Sequence, residues 1–472
     1  MSKKTLSILM LVVLVFSMAL TACQPAAEEP TEEPMEEPTE EPMEEPTEET
    51  MDEPEAMGVK LSDLDGTTVK FWHVWGSDEP AEGIKTVVDE FNATNEWGIT
   101  VEALDQGGYS EVEDAMNAAI QSGDVPDLVV GYANAFAAWY DVDAIVDLKP
   151  YMEDETVGMS EEAMGDFFEG PFETGLTPEG ARISLPFQQS ANVLFYNEDW
   201  AQDLGFDSPP ANISEFKEQA CAAAEANAND DDPDNDGTGG LVIYTGASNV
   251  MAWVFAYGGD VFNAEEKAYD FTSDAVVGVA ELWKSMWDDG CAFETESYPN
   301  PQFASREALF TMSSTAGLPY QIAAFEDEDA TDDEWTLIPY VGPDGNKAVN
   351  AYVQSLGIVN STPEKKLAAW LFLKYFTSPE AQATWVEYSR YYPGRQSASE
   401  QLGDFMAENE KWAKGLDLLQ YGRSEPAVAS WSSVRRAVGD TFAEILQSSP
   451  EDIPAILEDL NETAAELVAE MQ

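Results

Sequence analysis

From Thr68 the residues TVKFWHVWG alternate apolar and polar and stop at a glycine, the period-two signature of a strand with one buried face. GIKTVVDEFNATN then changes to helical spacing, and GITVEALDQGGY returns to alternation as a second strand. YSEVEDAMNAAIQSGDVPDLVVGYANA carries a helix, a Gly-Asp-Val-Pro turn and a wholly apolar third strand. This βαβαβ order predicts a parallel, doubly wound sheet whose strand-end loops are open to a ligand.

A second set of elements follows: the strand NVLFYN from Asn192, a helix from Ile213, the strand GLVIY from Gly240, a helix from Asp274, and a mostly helical C-terminus from Glu364. The strands EALFTMSS and VNAYVQSLGIV come late, between helices. Late strands can return to an earlier sheet, so the pattern predicts lobes assembled from discontinuous segments. At 472 residues the chain exceeds what one compact core supports, and two domains or one large bilobed unit are expected.

The N-terminus departs from this pattern. Lys3 and Lys4 precede an apolar run from Leu6 to Leu20, too short for a membrane span and suited to the core of an export signal. LTAC follows, with small residues before Cys23, and it resembles the bacterial lipobox. The resemblance implies that residues 1–22 are removed and that the Cys23 thiol, nucleophilic enough to form a thioether, carries a lipid. Each buried acyl CH₂ contributes about 0.8 kcal/mol, so such a lipid would anchor the chain without a spanning helix. Residues 23–57 are dominated by EEPT and EEPM repeats that have too little apolar surface to fold. Proline and like-charge repulsion favour an extended tether, on the order of 100 Å at ~3.1 Å per residue.

Charge narrows the partners. The chain has 22 Lys and Arg against 91 Asp and Glu, a net of -69, and the tether accounts for only 15 of the acids. Phosphate backbones require clustered cations, so nucleic acid is excluded as a partner. With Cys23 committed to lipid, Cys221 and Cys291 remain, an even pair in an exported chain. A disulfide closing a loop of about 70 residues is expected, with two buried free thiols as the alternative.

Several motifs bear on chemistry. DPDNDG places Asp232, Asp234 and Asp236 at the alternating positions of a calcium loop, but position twelve is Ile243 instead of a bidentate acid. A structural Ca²⁺ and a solvated acidic loop are both open readings; no cofactor is required. The single histidine, His73, lies inside a strand, which removes Ser-His-Asp catalysis and multi-histidine zinc sites. No G-x-x-x-x-G-K-[ST] occurs, so any ATPase belongs to a different chain. A secreted glycoside hydrolase needs only two carboxylates, and among 91 acids a suitable pair has no weight. That enzyme and a passive surface adhesin are the competing classes.

FWHVWG, FNATN, GGY, GDVPDLVVGY, LPFQQSANVLFYNED, YGGD, ALFTMSSTAGL and the stretch from PEKKLAAWLFLKYF to YYPGR occur in one order. In these pieces, from about Val69 to the C-terminus, the chain resembles the family 1 extracellular solute-binding proteins of ABC importers, the maltose and glycerol-3-phosphate type. The resemblance implies a two-lobed periplasmic-binding-protein-like α/β fold, each lobe a doubly wound sheet, with closure around a ligand by hinge bending. It implies crossings near Gln188, Arg306 and Tyr352, an N-terminal lobe of 58–188 plus 307–352, and a C-terminal lobe of 189–306 plus 353–472. The implied cleft residues are Trp75, Tyr109, Tyr132, Gln189, Ser190, Trp253, Ser313, Gln354, Tyr391 and Arg395. Aromatic plates with amide and hydroxyl partners suit a sugar's apolar faces and hydroxyl rim.

The glycerol-phosphate members carry a glutamate just after the third strand, where this chain has Ala133 and Asn134. Their C-terminal-lobe arginine has no assigned counterpart, Arg423 and Arg435 both being open choices. A neutral mono- or oligosaccharide is therefore expected, with a glycerol phosphate or other polyol as the alternative. The implied partners are the transmembrane permease subunits of an importer, reached by a lipid-anchored monomer outside the cytoplasmic membrane.

Overall fold

The computed structural model describes residues 54–295, 298–327 and 330–470. The leader, Cys23 and nearly all of the tether lie outside the described residues. Three parallel strands, β1 (Thr68–His73), β2 (Thr100–Asp105) and β3 (Leu128–Gly131), form the first sheet section with β1 in the middle. The alternation in TVKFWH buries Val69, Phe71 and His73 on one face. Helix α1 (Asp78–Thr94) links β1 to β2 and buries Ile84, Val87, Val88 and Phe91, one stripe at helical spacing. Helix α2 (Tyr109–Ser122) links β2 to β3 and stops at Gly123, whose φ of 80° supplies the left-handed cap. Helix α3 (Ala133–Asp141) follows β3 directly. The βαβαβ unit is thus present as expected.

The chain then enters β4 (Leu185–Asn197), a strand of 13 residues all of which are buried. Beyond it come α4 (Ile213–Ala228), β5 (Gly239–Val242), α5 (Ala247–Ala256), α6 (Asp274–Asp288), β6 (Ala292–Phe293) and β7 (Ala308–Ser314). Strands β6, β5 and β7 are parallel neighbours, and β7 lies antiparallel to the second half of β4. Strands β8 (Trp335–Ile338) and β9 (Tyr340–Val341) precede β10 (Lys347–Ile358), the second long central strand. Strand β10 runs antiparallel to β4 and, at its far end, to β3. Helices α7 (Pro363–Phe376) and α8 (Pro379–Ser389) come next, then β11 (Tyr392–Pro393), α9 (Glu410–Leu418), β12 (Gly422–Arg423), α10 (Trp431–Gln447) and α11 (Ile453–Glu470).

The main path through the sheet is β6-β5-β7-β4-β10-β3-β1-β2. Both ends are clothed on two faces. In the N-terminal lobe, Phe71, Leu128, Leu356 and Phe372 fill one face, while Val129, Phe136 and Trp139 fill the other. In the C-terminal lobe successive residues of β4 alternate: Leu194 and Tyr196 enter a core with Trp253 and Trp283, while Val193 and Phe195 enter another with Trp335 and Trp412. Each lobe is a doubly wound sheet, and together they make the two-lobed α/β fold.

The expected lobe boundaries need correction. Residues 307–352 belong to the C-terminal lobe, because β7 pairs with β5 and β4, and Leu309, Phe310, Tyr340 and Ala348 fill that lobe's core. Residues from about 353 to Tyr391 belong to the N-terminal lobe, where Leu356, Leu367, Trp370 and Trp385 sit. Gln188 and Tyr352 do lie on crossing strands. Arg306 does not: it turns the chain into β7 at φ 61° and is held by Asp333 and Asp203. The third passage is the segment from β11, paired with Gln188 and Gln189, to β12, paired with Val349 and Asn350. Cys221 on α4 and Cys291 before β6 form a disulfide with Cα atoms 4.5 Å apart, the first of the two alternatives.

Candidate functional site

Loops at the C-terminal ends of the parallel strands face the crossing strands, and four expected residues meet there. The rings of Tyr109, opening α2, and Tyr132, just ahead of α3, lie 4.7 Å apart at 45°. Gln354 of β10 donates through Nε2 to the Tyr132 hydroxyl at 3.2 Å. The Tyr109 hydroxyl shares a hydrogen bond with that of Tyr391, which the turn before β11 brings in. Gln188 was placed from sequence only as a crossing residue, yet it completes the chain. It accepts from Trp385 Nε1 at 2.6 Å and donates from Nε2 to Tyr109 at 3.4 Å.

Burial raises the pKa of Tyr109, Tyr132 and Tyr391 above the ordinary phenol range. Each therefore stays a neutral hydroxyl, able both to donate and to accept.

The C-terminal lobe supplies a second set, of which the sequence had offered only Tyr352, as a crossing residue, and Arg435, as an open choice. Asn192 of β4 donates to Asn249 Oδ1 at 2.5 Å and to the Tyr352 hydroxyl at 3.0 Å, and accepts from Tyr340. Glu425 accepts from Ser248 Oγ at 2.6 Å, Asn350 Nδ2 at 2.9 Å and Trp431 Nε1 at 2.5 Å. Arg435 of α10 lies 3.5 Å from the same carboxylate and donates to Ser248 at 2.8 Å. Both Arg435 and Glu425 act electrostatically on Tyr132 across the cleft. The walls also touch: Asn134 donates to Ser432 Oγ at 2.5 Å, and Ser432 donates to Glu113 at 3.2 Å. No spacing marks these residues in the chain, because the network closes only when the segment after β12 returns to the C-terminal lobe.

The other expected residues, Ser190 apart, lie elsewhere. Trp253 is fully buried in the C-terminal core, edge-on to Phe216 and Tyr340, because α5 is buried along nearly its whole length. Arg395 is buried in the N-terminal lobe, bonded to the carbonyls of Thr377 and Ala163, paired with Asp166 at 3.4 Å, and stacked over Phe167 at 4.0 Å. It holds loops together. Trp75 packs one layer behind the tyrosines against His73, Phe187 and Trp385. Gln189 points opposite to Gln188 and donates to the Pro393 carbonyl at 3.0 Å. Ser190 is buried on the same face of β4 as Gln188 and Asn192, opposite Tyr352, so it belongs with the site, whereas Ser313 is half-buried on β7 opposite Val193.

The acidic loop that offered calcium as one of two readings is folded by its own hydrogen bonds. Asp232 and Asp234 are exposed and fold the loop by local bonds, Asp232 N–H to Asp230 at 2.8 Å and Asp234 N–H to Asp232 at 3.1 Å. Among the described residues no group of three or more His, Cys, Asp or Glu is arranged to hold a metal, so Asp232, Asp234 and Asp236 make no cage.

This arrangement of two walls, crossing strands and an aromatic, hydroxyl-rich cleft can now be set against known proteins. The sequence profile described as bacterial extracellular solute-binding protein matches residues 86–414. The chain belongs to that family. A binding protein of Brucella abortus (strain 2308) is 24% identical over 306 residues, 63% of this chain and 71% of its own length. The sn-glycerol-3-phosphate-binding periplasmic protein UgpB of Yersinia pestis is 22% identical over 344 residues, 71% of this chain and 75% of its own. The sugar-binding protein MalE of Xanthomonas citri shares the fold at a TM-score of 0.73 and 19% identity, over 86% of this chain and 98% of that one. Membership places the solute-binding protein outside the cytoplasmic membrane, and among the described residues no helix is long and apolar enough to cross one.

Proposed function

We propose that this solute-binding protein captures an uncharged sugar or polyol between its lobes and passes it to the permease subunits of an ABC importer. Cys23 carries the lipid that keeps it at the membrane, and it acts as a monomer that catalyses no reaction. The observation that carries the reading is the convergence of Tyr109, Tyr132 and Tyr391 with Gln188 and Gln354, opposite the Asn192 and Glu425 networks. Rings match apolar C–H faces, and neutral phenols and amides match hydroxyls. Two amide oxygens there, on Gln354 and Asn350, are buried with no hydrogen-bond partner, acceptors that a ligand hydroxyl can use when the lobes close on it.

Charge speaks against phosphate. The cation that acts on Tyr132, Arg435, is offset by Glu425, leaving the pair neutral. A thermal-shift screen of neutral sugars and polyols, with glycerol 3-phosphate beside them, followed by calorimetry, tests the reading. A true ligand at a hundredfold excess over its Kd adds about 2.7 kcal/mol of stability. Gln354→Ala then weakens binding about tenfold or more by removing one partner of a desolvated pair. Failure of every sugar and polyol, with hydrolysis of a polysaccharide instead, overturns it.

A further inference from the structure

Strand β2 ends the sheet. Among the described residues its only strand neighbour is β1, paired in parallel from Thr68 beside Thr100 to His73 beside Asp105. In a parallel strand alternate residues turn both backbone groups to the same side. The N–H groups of Thr100 and Gln106 donate to the Thr67 and His73 carbonyls, so the even residues face β1 while Val101, Ala103 and Asp105 face outward.

Val101 is already matched there. Asn92 of α1 accepts its N–H through Oδ1 at 2.7 Å and donates to its carbonyl through Nδ2 at 3.0 Å, so one side-chain amide stands in for a neighbouring strand. The substitution stops after that residue. Among the described residues, Ala103 N–H and C=O and Asp105 N–H have no partner. A groove of about 400 Å³ runs between this edge and α1, walled by Ile84 and Val88 of the helix and by Val101 and Ala103 of the strand. On the opposite face of the edge lie Glu102, exposed, and Leu104, 40% exposed. A strand laid alongside would therefore meet an apolar trough on one face and an acidic, partly apolar surface on the other.

Charge selects the occupant. Neither Glu102 nor Asp105 is ion-paired among the described residues: Lys85 is taken by Asp89, and Lys70 lies 3.8 Å from Asp124. A second copy would bring the same carboxylates and another net charge of -69, and in each copy Val101 is already held by Asn92. The EEPT and EEPM repeats of the chain itself bring more glutamates, with a proline at every fourth residue that cannot donate to a ladder.

We infer that the β2 edge takes, as an added strand, an extended cationic segment of another protein in which apolar residues alternate with Lys or Arg. Its backbone meets Ala103 and Asp105 where Asn92 leaves off. Its apolar residues enter the groove, and its cations lie beside Glu102 with their stems over Leu104. None of this depends on what the cleft binds.

Fluorescence anisotropy of a labelled Lys-Val-Lys-Val-Lys-Val-Lys-Val peptide titrated with the full chain, joined to amide hydrogen exchange, tests it. Binding is expected, with slower exchange at Ala103 and Asp105. Ala103→Pro removes an outward N–H and no bond to β1, and it should weaken binding about tenfold. A peptide of the same sequence, N-methylated at alternate residues, keeps the charge but loses the ladder and should not bind. The inference falls if that peptide binds as tightly as the parent, or if the parent does not bind. It falls likewise if both amides exchange as before, the result that attraction to the tether's glutamates would give. A dimer that forms without peptide and that Ala103→Pro dissolves, seen by sedimentation, overturns it in favour of a second copy.

Discussion

Replacing the single histidine tests the aromatic layer that supports the tyrosine cluster. His73 is 4% exposed, and its ring lies parallel to that of Trp75, with centroids 5.8 Å apart, and 5.6 Å from Phe71. Its Nδ1 accepts the backbone N–H of Trp75 at 3.1 Å, a bond that requires an unprotonated Nδ1. Burial lowers the imidazole pKa from 6.5 to about 4, with the Asp105 carboxylate pulling weakly the other way.

The unfolded chain takes up this proton near pH 6.5 and the folded chain only near pH 4. The contribution is therefore complete above about pH 6.5 and disappears as pH falls from there to about 4. Integrated over that window it amounts to at most about 3 kcal/mol, a sizeable part of a typical stability of about 5–15 kcal/mol. Urea unfolding of the wild type and of His73→Gln at a series of pH values isolates it, because the carboxylates common to both chains cancel in the difference. Wild-type stability should fall by about 3 kcal/mol more than the variant's between about pH 7 and pH 4. Parallel curves, or an imidazole proton resonance titrating near pH 6.5 in the folded protein, would refute the reasoning.

Two further outcomes follow from the lobes. Reduction, or Cys221→Ala with Cys291→Ala, opens a link between residues 70 apart in sequence and should cost about 4 kcal/mol, seen as a lower Tm under reducing conditions. Arg395→Ala strands the Asp166 carboxylate and two carbonyls and should cost about 3–5 kcal/mol in denaturant titration, while ligand affinity of the folded fraction stays unchanged; a loss of affinity at full stability would return Arg395 to the cleft.

Period and order made the architecture legible. TVKFWH, GITVEALD and DLVVG read as strands because alternation or a short apolar run leaves few other solutions, and their parallel pairing followed from the helices between them. Lobe membership of the late strands was not legible. EALFTMSS has no feature that chooses between two sheets; the choice comes from its parallel fit beside β5, more than 60 residues earlier. Site residues divided on the same ground. Tyr109 and Tyr132 stand at the ends of readable strands, which is where the family resemblance placed them. Gln188 and Gln189 are adjacent on a strand buried on both faces, where hydropathy cannot tell which amide turns to the tyrosines. Trp253 and Arg395 misled because a flat ring or a guanidinium serves a core as well as a ligand.

The crossing strands join recognition to closure. Asn192, Asn350 and Gln354 carry polar groups of the cleft, and all three lie on the paired strands β4 and β10, with Asn192 directly opposite Asn350 and the register slipping between Gln354 and Ser355. A rotation of one lobe against the other must twist this pair, so the groups that meet a ligand move with the hinge itself. Asn134, Ser432 and Glu113 touch between the two walls, but these are polar bonds that water replaces at small cost if the walls separate. Lasting closure then requires a ligand touching both walls, Tyr132 on one side and the Glu425 network on the other, because only contacts made in the closed form shift the balance toward it. On the proposed reading, capture and shape change are one event in this geometry.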